Sequence, residues 1–225
     1  MSERFEVSFE VAGPAAMFAR PDTGSTPRSY PVPTYSAAKA MFEAVARLKS
    51  AYIHPTRVEV CRPIGYHRFV TNYGGPLRKP DQINKNNNYQ LIATILVDVC
   101  YRIYGEVRGK QSTRGGGDAR MKRRSGRADH CEKLRDLFNQ RLQTGQAFYT
   151  PCLGWKEFVP SYFGPFRDRD ERGEKVQRDR SVNLVIPSLL LSIWDNHQLK
   201  PAFGPDWEII EGLMSYEKRR PDDAK

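Results

Sequence analysis

Alternation of apolar and polar residues constrains the fold of this chain more than any other feature. It occurs over residues 5–11 (FEVSFEV) and again over residues 95–104 (ILVDVCYRIY). A period of two residues is that of a strand with one face against a core. The two runs therefore predict two strands of a half-buried sheet, and Gly13-Pro14 is expected to end the first of them.

Two other stretches carry apolar residues at the spacing of a helix. One lies between residues 37 and 48 and the other between residues 134 and 142. Both place an apolar stripe along one side of a helix, as a helix packed on a sheet requires. We expect Thr34 or Ser36 to cap the first helix and Gly145 to end the second.

The order of the elements becomes β-α-β-β-α-β when two further extended stretches, residues 57–60 and 148–158, are included. This order predicts an α+β fold of the ferredoxin-like (RRM-type) plan, which many RNA-recognition domains share. We expect that domain to span residues 1–160. A β-rich C-terminal extension is expected over residues 161–225.

The positive charge of the chain is concentrated in one segment. The formal net charge is +10, and residues 108–127 hold eight basic residues, one acid and several glycines. We interpret residues 105–127 as a basic glycine-rich arm, a loop or long hairpin that suits a phosphate backbone. The alternative is a solvated loop without a partner. Residues 167–180 (RDRDERGEKVQRDR) are nearly neutral and predict an exposed turn or disordered insertion without a function.

Several classes of protein do not fit the sequence. No stretch approaches the roughly 18 uninterrupted apolar residues of a membrane-spanning helix, and no signal-peptide pattern is present. The four cysteines are 39, 31 and 21 residues apart, which suits neither a disulfide framework nor a zinc site. We therefore expect a cytoplasmic protein with reduced cysteines, no metal and no cofactor.

Two blocks of sequence resemble a known family. The first combines residues 5–13 with MFARP at residues 17–21 and SYPVPTYSAAK at residues 29–39. The second combines LQTGQAF at residues 142–148 with PCLGWKEF at residues 151–158. In this order the blocks are similar to the CRISPR-associated Cas5 family, and most similar to its type I-C (Dvulg) subtype.

The resemblance implies a function in CRISPR antiviral defence. Members of this family bind the 5′ handle of the CRISPR RNA (crRNA) and cap a backbone of Cas7 subunits in the interference complex called Cascade. The implied partners also include a large Cas8-type subunit and target DNA. In the type I-C subtype the protein additionally cleaves the precursor RNA, by metal-independent attack of a 2′-hydroxyl on the adjacent phosphate.

The reactive residues that the resemblance implies are largely missing. The family places a Tyr or His near the end of the first helix, where this chain has Ala46. It places a Gly-Lys-His triplet at the start of the second helix, where Lys133 remains but Leu134 replaces the histidine. Three hypotheses stay open: a non-catalytic crRNA-binding subunit, an endoribonuclease with a relocated site that uses His130, Lys133 and Tyr52, or a basic nucleic-acid-binding protein outside CRISPR systems.

The residues expected to bind RNA are better preserved. They are basic residues of the two matched blocks and of the basic arm. Lys156 stands where the family usually has Arg, which keeps the charge but loses the planar fork of a guanidinium. The full set is Arg20, Arg28, Lys39, Arg108, Lys110, Arg114, Arg120, Lys122, Arg123, Arg124, Arg127 and Lys156.

Overall fold

The computed structural model describes residues 5–73, 79–85, 89–110, 119–195 and 198–217. It is a mixed α/β structure built on a mostly antiparallel sheet, as the sequence predicted at this level. The helices and strands, in chain order, are β1 (Glu6–Ala16), α1 (Tyr35–Val45), β2 (Ala51–Val60), β3 (Gly65–Tyr73), α2 (Pro80–Asn84), β4 (Tyr89–Gly109), α3 (Ala119–Thr144), β5 (Tyr162–Gly164), β6 (Leu184–Asp195), β7 (Gln198–Ile209) and β8 (Leu213–Ser215).

The long strand β4 organises the main sheet. Within the described residues the sheet has the order β5-β1-β4-β2-β8, and β3 pairs with the first half of β4. Each of these pairings is antiparallel. Strands β6 and β7 form a separate two-stranded sheet. Strands β5 and β8, both beyond residue 160, thus belong to the same sheet as the strands predicted from residues 5–11 and 95–104.

One face of the sheet packs against α1 and α3 to form the core. The ring of Phe9 on β1 lies 4.8 Å from that of Phe42 on α1 and 6.4 Å from that of Phe138 on α3. All three side chains are fully buried. Thr34 caps α1, since its hydroxyl accepts a hydrogen bond from the N–H of Ala37 at 3.2 Å. The apolar stripes of both predicted helices therefore face the sheet.

The opposite face of the sheet is covered by the segment that follows β5. Glu10 of β1 points to this side, is fully buried, and pairs with Arg102 at 3.3 Å and with Arg167 at 2.8 Å. Arg102 also donates to the carbonyl oxygens of Arg167 and Val176. Because a folded segment occupies this face, the part of the sheet around Glu10 is closed to an RNA strand.

Several boundaries differ from those predicted. β1 continues through Gly13 and Pro14 to Ala16. Pro14 has no N–H to donate, and the strand tolerates it because this residue has no pairing partner on β4. β2 begins at Ala51, and a register shift at Pro55 hides its alternation. Residues 148–158 contain no strand; the N–H groups of Phe148 and Tyr149 donate to the carbonyl of Ala44 instead.

The predicted basic arm is not a loop at either end. β4 runs to Gly109 because it stays paired with β2 up to Ala51. α3 already begins at Ala119, where residues with high helix propensity follow the glycines. Residues 111–118 of the predicted arm lie outside the described residues. None of the described helices is long and apolar enough to span a membrane.

Candidate RNA-binding site

The two positions where the resemblance places reactive side chains are buried and apolar. Ala46 directly follows α1, donates its N–H to the carbonyl of Phe42 at 3.1 Å, and is 2% exposed. Leu134 on α3 is 1% exposed. Neither side chain can accept or donate a proton, and both contribute to the hydrophobic core. At these positions the chain has packing residues and no acid or base.

The two helices contact each other through residues of their C-terminal halves. The rings of Phe42 and Phe138 are 5.5 Å apart, and one turn later Nη1 of Arg141 donates to the carbonyl of Val45 at 2.9 Å. Lys133 lies eight residues before Arg141, which is about 12 Å along a helix. Lys133 therefore does not lie beside the end of α1.

The proposed substitutes for the missing groups are not joined into a site. His130 and Lys133 are both exposed on α3. Within the described part of the chain, neither side chain makes a hydrogen bond or an ion pair. Tyr52 lies on β2, where its ring faces Lys39 of α1. Of the three candidates for a relocated catalytic site, Tyr52 alone contacts a charged side chain, that of Lys39, in the residues described.

Four residues predicted from the sequence do meet at one surface. Tyr52 is opposite Arg108 in the ladder between β2 and β4, and Nζ of Lys39 lies 5.6 Å from the centre of the Tyr52 ring. Lys110 follows β4 directly, is exposed, and donates its N–H to the carbonyl of Ser50 at 2.9 Å. We call Lys39, Tyr52, Arg108 and Lys110 the Lys39–Arg108 surface. It combines cations with an aromatic ring, as single-stranded RNA sites do.

A hydrogen-bonded histidine next to this surface was not predicted. Nδ1 of His54 is 2.8 Å from the hydroxyl of Tyr35, and its Nε2 is 3.1 Å from Oε1 of Glu217. Arg108 pairs with the same oxygen of Glu217 at 2.8 Å and with Glu106 at 2.9 Å. Sequence reasoning missed the cluster because His54 and Glu217 are 163 residues apart and no local pattern connects them.

The surroundings favour a neutral imidazole. Burial, followed by the charge of Arg108, lowers the pKa of His54, although Glu217 opposes both. A hydrogen bond from Arg108 holds the pKa of Glu217 below its ordinary value, and burial raises the pKa of Tyr35 to about 12. At neutral pH the Nε2–H of His54 thus donates to Glu217, and its Nδ1 accepts from the protonated Tyr35 hydroxyl. This arrangement can bind a polar group and can also relay a proton.

The other predicted RNA-binding residues lie elsewhere. Arg20 is paired with Asp22 at 2.7 Å, and the guanidinium of Arg28 stacks 5.0 Å from the Tyr66 ring. Lys156 is exposed. Arg114 lies outside the described residues. The remaining residues of the basic arm belong to the first turns of α3, and their side chains lie outside the described part: Arg120, Lys122, Arg123, Arg124 and Arg127. Nowhere in the described ranges do three or more His, Cys, Asp or Glu residues form a group that could hold a metal ion.

Solved structures show the class of fold to which this architecture belongs. A crystal structure of a CRISPR-associated protein aligns over 95% of this chain and 92% of its own length, with a TM-score of 0.62 and 18% identity. A functionally uncharacterized protein from Streptococcus mutans aligns over 97% and 94%, with a TM-score of 0.62 and 16% identity. This chain therefore shares the fold of these two structures.

Sequence comparison identifies the protein family. The sequence model of the CRISPR-associated Cas5 family matches residues 7–206. This chain belongs to the Cas5 family, which confirms the resemblance found in the sequence, and the type I-C subtype is consistent with the match.

Two relatives carry the name "CRISPR pre-crRNA endoribonuclease Cas5d". The one from Thermus thermophilus is 30% identical over 157 residues, which are 69% of this chain and 62% of the relative. The one from Mannheimia succiniciproducens is 25% identical over 212 residues, 88% of each chain. This chain thus matches less than two thirds of the length of the Thermus protein.

Proposed function

We propose that this protein is a non-catalytic subunit of a CRISPR type I interference complex that binds the 5′ handle of the crRNA and caps the Cas7 backbone. Membership of the Cas5 family and the two relatives named for pre-crRNA support the RNA partner. The observation that carries the non-catalytic part is the burial of Ala46 and Leu134. General acid or base chemistry needs an ionisable group within hydrogen-bond reach of the reacting atoms.

The Lys39–Arg108 surface is the part of this proposal that the geometry supports best. Lys39 is 39% exposed and is held only loosely by Glu43, at 4.0 Å. Lys110 is exposed at the end of β4. Arg108 is already paired with Glu106 and Glu217, so we assign the free positive charge to the two lysines. The ring of Tyr52, which lies next to Lys39, offers a face on which a base can stack.

Replacing both Lys39 and Lys110 by Ala is expected to weaken binding of the crRNA handle about 10-fold. Each lysine that neutralises a phosphate contributes about 0.7 to the salt slope of a single strand, so the slope of log K against log[salt] should fall by about 1.4. Titration of a labelled handle RNA at several salt concentrations measures both quantities. Arg68→Ala with Lys85→Ala removes the same charge from two other exposed positions and is the matched control. Equal losses in the two double variants would argue against a site at this surface.

The rival function is a metal-independent endoribonuclease, and one observation favours it. His54 is held between Tyr35 and Glu217 beside Arg108, which is an arrangement that can take a proton from a 2′-hydroxyl through Tyr35. This rival would use His54 rather than His130 and Lys133. Cleavage of the precursor RNA by the purified protein distinguishes the two functions.

The remaining sequence predictions, which concern the fold plan, the domain division, the other partners and the location, are part of the same proposal. We infer a ferredoxin-like plan because the strands named β5, β1, β4 and β2 neighbour each other in that order, which corresponds to fourth, first, third and second in a βαββαβ unit. The division at residue 160, the Cas8-type subunit, target DNA and the cytoplasmic location are likewise proposed.

A further inference from the structure

The charged segment of residues 167–180 is folded and largely exposed, which fits the predicted exposed turn and not the alternative of a disordered insertion. Arg169 and Lys175 face each other in an antiparallel bridge, and the N–H of Asp170 donates to the carbonyl of Glu174 at 2.9 Å. Further along, the N–H of Asp179 donates to the carbonyl of Val60 at 2.8 Å. We call this segment the charged hairpin. The near-neutral composition of this segment did not indicate that it folds, because the residues that bind it lie far away in the sequence.

Acidic groups hold the charged hairpin against the sheet. Asp170 pairs with Arg62, which also pairs with Asp98. Asp98 pairs in addition with Arg172 of the hairpin at 3.2 Å, and Glu10 holds Arg167 at 2.8 Å. Asp170 of the hairpin and the carboxylates of the sheet form these ion pairs, which fix the position of the hairpin. Because these carboxylates and guanidinium groups neutralise one another, the net charge that the hairpin exposes differs from the net charge of its sequence.

Three basic residues of the charged hairpin surround a cavity of about 530 Å³. Among the described residues, the side chains of Lys175, Arg178 and Arg180 make no ion pair or hydrogen bond. The cavity contains one acid, Asp179, and its carboxylate already accepts hydrogen bonds from the N–H and hydroxyl of Ser181 at 3.0 and 2.6 Å. The lining therefore carries three cations against one carboxylate, a net positive charge that suits an anionic ligand. The rest of the lining is Cys61 and Gln177.

We propose that this cavity binds the phosphate backbone of a single-stranded nucleic acid, at a site separate from the Lys39–Arg108 surface. Three cations on a rigid segment can neutralise two or three successive phosphates. Its volume of about 530 Å³ lies in the range of pockets for small ligands, which suits contact with a short piece of one strand. None of the described residues that line it is aromatic, so the site holds the backbone and does not stack or select bases.

The test uses the full-length protein after saturation with unlabelled handle RNA, so that the handle site is occupied. Labelled oligo(dT) and oligo(U) of about 12 nucleotides then report the second site, and backbone recognition predicts similar affinity for both. The triple variant Lys175→Ala, Arg178→Ala, Arg180→Ala should bind both probes about 10- to 30-fold more weakly. Its salt slope should fall by about 2, while its affinity for handle RNA stays unchanged. The control triple Arg47→Ala, Arg68→Ala, Lys85→Ala should bind both probes nearly as the wild type does.

Three results would overturn the proposal, and they are distinct from a failure of the handle site. They are an RNA-saturated wild type that binds neither probe, a triple variant that binds both normally, and binding of an acidic poly-Glu peptide that the oligonucleotides do not displace. The last result would assign the cavity to a protein partner. If the triple variant unfolds, the single charge reversal Lys175→Glu at an exposed position provides the same comparison. Loss of handle binding in the Lys39/Lys110 variant is measured separately and leaves this result independent.

Discussion

Gly154→Ala is expected to lower the free energy of unfolding by about 3 kcal/mol or more. The φ angle of Gly154 is +91°, where side chains are rarely tolerated, and an added Cβ would lie 1.9 Å from the carbonyl oxygen of Met17. That approach is fixed because the N–H of Met17 donates to the carbonyl of Leu153 at 2.8 Å. The backbone would have to move to accommodate even one methyl group.

Equilibrium denaturation followed by circular dichroism measures this effect. Gly145→Ala is the matched control, since Gly145 also has a positive φ, +68°, but no atom within 4 Å of the added Cβ. We expect the control to cost about 1 kcal/mol, from the backbone conformation alone. Equal destabilisation by the two substitutions would show that the contact with Met17 is not tight. The close approach of Gly154 to Met17 also brings the motifs MFARP and PCLGWKEF into backbone contact.

Glu10→Ala should destabilise the protein by about 3 to 5 kcal/mol, because it leaves two partly buried guanidinium groups without their carboxylate. Glu10 is fully buried, and its two oxygens accept from Arg102 and Arg167 at 3.3 and 2.8 Å. The N–H of Arg167 also donates to Glu10 at 3.1 Å. The substitution therefore loosens the attachment of the charged hairpin to the sheet as well as the sheet itself.

Thermal and chemical unfolding of this variant are compared with those of Glu6→Ala, which removes an exposed carboxylate from the same strand. The control should change the free energy of unfolding by less than about 0.5 kcal/mol. A Glu10 variant as stable as the control would mean that the buried ion pairs are not needed to hold the hairpin. The proposed nucleic-acid cavity would then have no rigid support.

Local periodicity predicted the parts of the fold that depend on local sequence. The strands around Phe9 and Ile103 and the helices around Phe42 and Phe138 follow from spacing, because one face of each element is buried in the same core. The length of β4 was underestimated, since its first part pairs with β3 and has both faces partly exposed. Alternation is weak in such a strand, so sequence reasoning finds its centre and misses its ends.

The polar sites could not be predicted in the same way. His54 meets Tyr35 and Glu217 through strand pairing and through the return of the chain near residue 217. The surface charge of residues 167–180 depends on partners such as Arg62. These relations join residues that are far apart in the sequence, and no spacing rule encodes them. The family resemblance supplied Lys39 as a candidate and the run of basic charge supplied Arg108 and Lys110, but neither predicted their common surface with Tyr52.

The most direct test of function is to incubate the purified protein with its cognate precursor crRNA in the absence of divalent metal. We expect the RNA to be bound at its 5′ handle and recovered uncut, because buried Ala46 and Leu134 offer no acid or base. The Thermus relative, named a pre-crRNA endoribonuclease, serves as the positive control with its own RNA. Cleavage at one site that is lost on His54→Gln, or on His130→Ala or Lys133→Ala, would contradict the proposal and assign the protein to the nucleases.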